Sequence, residues 1–556
     1  ICTFEMAKEL IQIESYSLKN LSWYFDLKYN NKFFNEDLAH RASYDAIFTH
    51  KLYNKLLEIE DTKEWAKKYN PFSSSKVDNP FQDHFDYKEI YKNEFNYLTS
   101  ILDEVKQDKN HQTKSVVVLG EAGSGKTHFM MRFLKNSSNT NRFLFIRQPN
   151  DEDSVIFHIY SRILESFAQK ILNSEYSQLE YFLAKSISDI IITNFKNLEK
   201  PTKTQLKIIE VLEENHLNIY QKIGINQNNW KHITKYMLEW WEKNYSNNET
   251  AINLLKALIK YAQYKDKNYK ESVMKYLSGY QLPQEELEKI GLQEWNHISR
   301  EEFSLEAISL FGKLSIFDEP MILCFDQLES IINNDVLLKN FGEALKEIIT
   351  QTPNSLIVLN LFPDRWGYFL DVFDESVNDR IGNEIISLPK LSNQEMKTLL
   401  KERAKFYNIN LDYIFNPKIY QEVTKHSTIR GNINQANHYF RNKIHNVPLP
   451  KFTTNLEDKV EQLQKRVEQL EKLLNISKVE KKEKNKNIEE YIEKVYQTIS
   501  EKYETFSLID DSDENGKLKT ILSTIKDIYN IEIDFFKSGK VLPAHTNMKK
   551  GNLEYS

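Results

Sequence analysis

Eight consecutive residues carry the densest chemistry in the chain: Gly120, Glu121, Ala122, Gly123, Ser124, Gly125, Lys126 and Thr127. They match G-x-x-x-x-G-K-[ST], follow the apolar run "SVVVL" and open the helix-patterned "THFMMRFLKN". Each part has a physical reason. Glycines at 120, 123 and 125 let the backbone curl so that successive N–H groups face phosphate oxygens. The N-terminus of the following helix adds partial positive charge. Lys126 is placed to reach the β and γ phosphates of a nucleotide, and the Thr127 hydroxyl to ligate magnesium. Glu121, Ala122, Ser124 and His128 complete the expected binding set, with His128 packing at the helix start.

Such a loop needs an acid on a neighbouring strand to hold the magnesium through its water shell. The stretch "MILCFD" supplies it in Asp326, so the metal-holding residues are expected to be Thr127 and Asp326. The next residue is Gln327, which can orient a water by hydrogen bonds but cannot accept its proton. Glu329, two residues further on, is the alternative base. Its bland reading, a solvent-facing charge on the following turn, is the favoured one. Slow hydrolysis is therefore expected.

These residues need a scaffold, and the flanking pattern describes one. Short apolar runs "KSVVVLG", "RFLFIRQ", "PMILCFD", "NSLIVLNLF" and "NEIISLP" alternate with helical stretches, which predicts a parallel sheet covered on both faces. The fold class is thus α/β. The expected division is an N-terminal helical region at 1–76, a core at 77–175 and 303–390, a helical insertion at 176–302 and a helical lid at 391–450. Three tryptophans in "NNWKHITKYMLEWWEKNY" are expected to fill the insertion's own small core. Leu456, Val460, Leu463, Val467, Leu470 and Leu474 alternate at four and three residues, the valine-at-a, leucine-at-d pattern of a parallel two-stranded coil. The run is under three heptads, so the alternatives are a weak dimer and packing back onto its own domain; this coil and a charged linker take up 451–487. The tail 488–556, with "IEIDFFKSGKVL" as a hairpin, reads as the start of a further, truncated α/β unit, and the chain as a fragment of a longer one.

From Gly120 to about Asn442 the sequence resembles the AAA+ and STAND group of P-loop ATPases, interrupted by the helical insertion. The order of strands and helices and the pairing of "GEAGSGKT" with "CFDQLE" carry the resemblance. It implies ATP and Mg2+ as ligands. It also implies that Asn360, at the end of "SLIVLN", is the polar sensor that orients water or reads the γ-phosphate. Arg380, before the last core strand, stands where the family carries an arginine finger that reaches a neighbouring subunit, and Arg365 in "FPDRW" is a second candidate. The lid arginine of the family is missing: its place holds Asn434, unless Arg430 substitutes. The resemblance extends to bacterial initiator-like and defence-associated ATPases, some acting on DNA or against phage. The function so implied is slow ATP hydrolysis coupled to self-association, as a ring or a coiled-coil dimer, and to conformational switching. The alternative is an ATP-binding scaffold with little hydrolysis.

Composition bounds the rest. The 556 residues exceed one ordinary core, and 40% hydrophobic with 28% charged residues is usual for a globular protein. A net charge of −6 gives no global basic signature, and no nucleic-acid reader motif occurs, so nucleic acid as a partner has no motif behind it. Two cysteines, Cys2 and Cys324, provide neither a disulfide framework nor a cysteine zinc site. No apolar run approaches a membrane span, and no signal segment opens the chain, so a cytoplasmic location is expected.

Overall fold

The computed structural model describes residues 2–137, 142–171, 174–223, 227–245, 248–295, 298–450, 532–536, 545–550 and 553–555. The chain divides into two compact units, Ile1–Leu449 and Pro450–Ser556.

The first unit is α/β and mostly helical. Its five-stranded sheet is built from β1 (Lys114–Leu119), β2 (Arg142–Arg147), β3 (Met321–Asp326), β4 (Ser355–Leu361) and β5 (Ile385–Ser387). The spatial order is β2-β3-β4-β1-β5, and every neighbouring pair is parallel. Strands β3 and β4 are buried at every position. This is why they read as unbroken apolar runs rather than as alternating ones.

Helices cover both faces. Val116, Val118, Ile322, Cys324, Leu356 and Val358 face α1 (Lys92–Gln107) and α2 (Lys126–Ser137) through Leu98, Ile101, Phe129 and Phe133. The other face, with Val117, Leu144, Leu323, Phe325 and Ile357, belongs to a larger cluster that includes α3 (Val155–Phe167) and α4 (Arg300–Ser315). That cluster runs without a break into the helical insertion. Trp230, Trp240 and Trp241 are buried in it, and the Trp240 ring meets Phe317 edge-on at 5.3 Å, four residues before β3. The tryptophans therefore do not fill a separate small core: the insertion's interior and the sheet's are continuous.

The N-terminal region is helical apart from two-residue strands at Lys28–Tyr29 and Lys32–Phe33. Its long helix Ala42–Lys68 buries Phe48, Leu52, Leu56, Ile59, Thr62 and Ala66, a stripe at three- and four-residue spacing. The early part of the stripe lies in a local core with Ala7 and Leu21. Its end, Ala66, together with Phe72, enters the core of the helices that follow the sheet: α5 (Asn393–Lys405), α6 (Pro417–Val423) and α7 (Ile429–His445). The N-terminal region is thus fastened to this last helical layer.

The described part of the second unit is a three-stranded antiparallel sheet, Glu532–Phe536, His545–Lys550 and Leu553–Tyr555. The partner of "EIDFF" is "HTNMKK", further along the chain than the expected hairpin return. The heptad run 456–474 and the charged linker lie outside the described residues. No described helix is long and apolar enough to cross a membrane.

Candidate functional site

In a parallel sheet the loops that leave the carboxyl ends of the strands gather at one edge, and ligands bind there. Here β1 ends into the glycine-rich loop, β3 ends at Asp326 and β4 ends just before Phe362. Gly123 and Gly125 have φ of +79° and +99°, which an L side chain rarely adopts, so the loop's curl requires glycine at both.

The side chains meet as their spacing suggests. The Thr127 Oγ1 donates a hydrogen bond to Asp326 Oδ2 at 2.8 Å. Alternation places Asp326 on the same face as Ile322 and Cys324, the face on which α2 begins. The Lys126 Nζ donates to the Gly120 carbonyl at 2.7 Å and lies 4.1 Å from the centre of the Phe362 ring. Burial lowers the Lys126 pKa, opposed by the carboxylates of Glu329, Asp326 and Glu121. A lysine held this way, hydrogen-bonded to backbone rather than to a carboxylate, is a receptive site for anionic oxygens.

Lys126, Thr127, Asp326, Gln327 and Glu329 all line one cavity of about 290 Å³. Gln327 is exposed and left-handed, with φ 63°. Its turn sends Leu328 into the core and starts a short 3₁₀ segment, Leu328–Asn333. Glu329 is half-buried on that segment, not a solvent-facing charge. Burial raises its pKa from the ordinary glutamate value, opposed by a hydrogen bond from its own backbone and by the charges of Lys126 and Arg365, and Asp326 adds to the rise. Burial likewise pushes the Cys324 thiol well up, so it stays protonated and inert.

Asn360 is fully buried on β4, next along from the Phe325–Leu359 pair and so beside Asp326. Its Nδ2 lies 3.7 Å from Cys324 Sγ, and its Oδ1 has no hydrogen-bond partner. Arg365 sits at the start of the helix Pro363–Val372, with Nε 3.3 Å from Asp364. Arg380 is exposed. Its Nη1 donates to the Ser376 carbonyl at 2.8 Å, and its own carbonyl accepts from Ser115, at the end of β1 away from the glycine loop. None of these three lines the cavity. Arg430 does. Its backbone N–H donates to the Gly123 carbonyl at 3.1 Å, while Asn434 is exposed and outside the lining.

The oxygen donors suit a hard cation. A hydroxyl and a carboxylate stand side by side, and magnesium typically takes one or two such groups plus substrate phosphates rather than a full protein cage. No cluster of three or more His, Cys, Asp or Glu residues that could hold a metal occurs among the described residues.

One wall escapes motif reading: the segment from Ser74 to Tyr91, whose loop-like "SSSKVDNPF" gives no hint of a binding role. It lines the cavity through residues that include Val77, Phe85, Tyr87 and Ile90, together with Leu399, Ile429 and Ile433 of α5 and α7. The Tyr91 hydroxyl donates to the Ser124 carbonyl at 3.0 Å. His128 and Arg132, four apart on α2, both reach Asp86. Burial would raise the Asp86 carboxyl, but the bonds from His128 and Arg132 and the arginine charge outweigh it and hold the carboxyl at about 2. That i, i+4 pairing was the available sequence signal, and it takes on meaning only once Asp86 is known to lie opposite.

No protein-family model matches the chain, and no curated protein matches it in sequence.

Proposed function

We propose that this chain is an AAA+/STAND-like P-loop NTPase that binds ATP with Mg2+ and hydrolyses it slowly, with turnover rising on self-association. The observation that carries the reading is the Thr127–Asp326 contact beside a buried Lys126, next to a loop whose Gly123 and Gly125 line the cavity. In P-loop enzymes a loop Ser/Thr and a strand Asp hold the magnesium, and the loop lysine and backbone cradle the phosphates.

In this reading Lys126 and the loop N–H groups neutralise and orient the β and γ phosphates. Thr127 and Asp326 would hold Mg2+, which when bound would supply positive charge to offset that of the phosphates. Glu329 accepts the proton of the attacking water, and Gln327 at most orients that water. Asn360, buried beside Asp326 and outside the cavity lining, acts on the water or γ-phosphate only through its neighbours. Arg430 brings the helical layer to the phosphate loop in place of the missing family arginine. Arg380, exposed and outside its own cavity, is free to serve the nucleotide of a neighbouring copy.

Two measurements test the proposal. Binding of a fluorescent ATP analogue in the presence of Mg2+ is expected for the native chain and lost in Lys126→Ala. Absence of binding by the native chain overturns the reading. Phosphate release then separates the enzyme from the scaffold, the alternative that Gln327 favours by standing directly after Asp326. An enzyme slows in Glu329→Gln, whereas a scaffold shows no turnover to lose.

A further inference from the structure

Residues between the helix Ala42–Lys68 and α1 form almost no regular structure, yet they supply one wall of the cavity. A backbone of this kind takes its shape from the side chains that grip it. At one end Arg403, on α5, donates from Nε to the Pro71 carbonyl at 2.6 Å and from Nη2 to the Ser74 carbonyl. At the other end Arg132 takes a set of charge-assisted bonds. Its Nε and Nη2 reach the Asp86 carboxylate at 2.7–3.0 Å, Nη2 also reaches the Tyr87 carbonyl at 2.9 Å, and Nη1 reaches the Ile90 carbonyl at 2.5 Å. The Asp86 and Arg132 side chains are only 13% and 8% exposed, so these bonds are shielded from water. Arg132 lies on the helix that begins with Lys126 and Thr127. The phosphate-facing residues and the apolar wall are therefore indexed to the same rigid element.

We propose that Asp86 and Arg132 are positioning residues that hold Phe85, Tyr87 and Ile90 as the seat for a planar base, and so make the cavity prefer a nucleoside triphosphate to bare polyphosphate. This rests on the nucleotide reading above. The phosphates meet the glycine loop and Asp326, to which neither side chain hydrogen-bonds, although Arg132 also lines the cavity and Asp86 also bonds His128 next to Thr127. The base meets the apolar wall, whose position depends on both. Loss of the clamp should therefore weaken recognition of the base while leaving recognition of the phosphates intact.

The test is calorimetric titration of the native chain, Asp86→Asn and Arg132→Lys with ATP and with inorganic tripolyphosphate, each with Mg2+. The native chain should bind ATP more tightly than tripolyphosphate. Each variant should lose about tenfold or more in ATP affinity, as expected for a charged hydrogen-bond set, and stay within about twofold for tripolyphosphate. Retained tripolyphosphate binding also shows that the variant is folded. Unchanged ATP affinity in both variants overturns the proposal. So does an equal loss for both ligands, which marks a general structural role. A native chain that binds both ligands equally overturns the base seat alone, whereas one that binds neither overturns the nucleotide reading with it.

Discussion

In the proposed reading the base, Glu329, stands three positions past Asp326 rather than one, which works only if the backbone turns to present it. Gln327 supplies that turn by adopting a left-handed conformation, and the 3₁₀ segment beyond it brings Glu329 over the cavity. Glu329→Gln is therefore expected to lower kcat by about a hundredfold or more, the usual worth of a general base. Gln327→Ala should change it by less than about threefold; phosphate-release rates at saturating ATP check both. The pH dependence has a definite sign. The base acts only when deprotonated and its pKa is raised by burial, so kcat falls on acidification at a higher pH than an ordinary carboxylate would give. A profile without that displaced acid limb counts against Glu329. At this scale the meeting of the glycine loop with Asp326 was legible, because a continuous motif encodes the loop and an apolar strand leads to the Asp. Glu329 was legible as a candidate, but its half-buried place was not, because no local pattern reports the burial of a turn. Arg430 was legible only as a substitute, since its nearness to Gly123 comes from packing between distant segments.

The elements are joined by contacts that outweigh local preference. Arg142, at the start of β2, and Asp318, just before β3, form an ion pair with Nε–Oδ2 at 2.8 Å and exposures of 1% and 2%. Removing one partner of such a pair strands the other, so Arg142→Met should lower stability by about 3–5 kcal/mol in urea unfolding. Burial pushes the Asp318 carboxyl up to about 7, only partly offset by Arg142. A group whose folded pKa is raised contributes stability that is full below the ordinary carboxylate pKa and is lost as pH rises through the folded value. Unfolding free energy should therefore decline from about pH 4 to 7 on this account, and Asp318→Asn should remove that part of the slope. Gly312 in α4 makes a different point. A Cβ there would meet Thr352 Cγ2 at 2.6 Å and the Pro353 carbonyl at 3.0 Å. Alanine is favoured over glycine in a helix by about 1 kcal/mol, but overpacking costs about 1–3. Gly312→Ala is thus expected to lower the thermal midpoint despite its better propensity. The strands were readable because burial on both faces leaves unbroken apolar runs. The fusion of the insertion's interior with the sheet was not readable, because helical periodicity tells which face is buried but not against what.

Over the whole first unit, the N-terminal region is fixed to the last helical layer rather than to the sheet. Tyr413 bonds Glu58, Asn410 bonds Thr62 and Asn70 bonds Asn437, in addition to the shared core. A rearrangement of α5 and α7 around nucleotide would carry residues 1–72 with it. Arg380 acts at this scale too. If it serves a neighbouring copy, turnover per chain should rise with protein concentration, and Arg380→Ala should abolish the rise while leaving the dilute rate unchanged. A flat, fast rate in the native chain excludes that role. Sequence order disclosed the layers but not the N-terminal attachment, which joins segments more than 300 residues apart. One further consequence follows from where β1 sits. Its two neighbours are β4 and β5, with Val118 beside Asn360 and Ile386, so the nearer partner is encoded about 240 residues later. A ribosome adds roughly 5–20 residues per second, so this interior strand of the sheet emerges about 12–50 seconds before either neighbour exists. During that interval Val116, Val117 and Val118 have no strand to pair with, and the newborn chain depends on its own helices or on a chaperone to keep them from other chains.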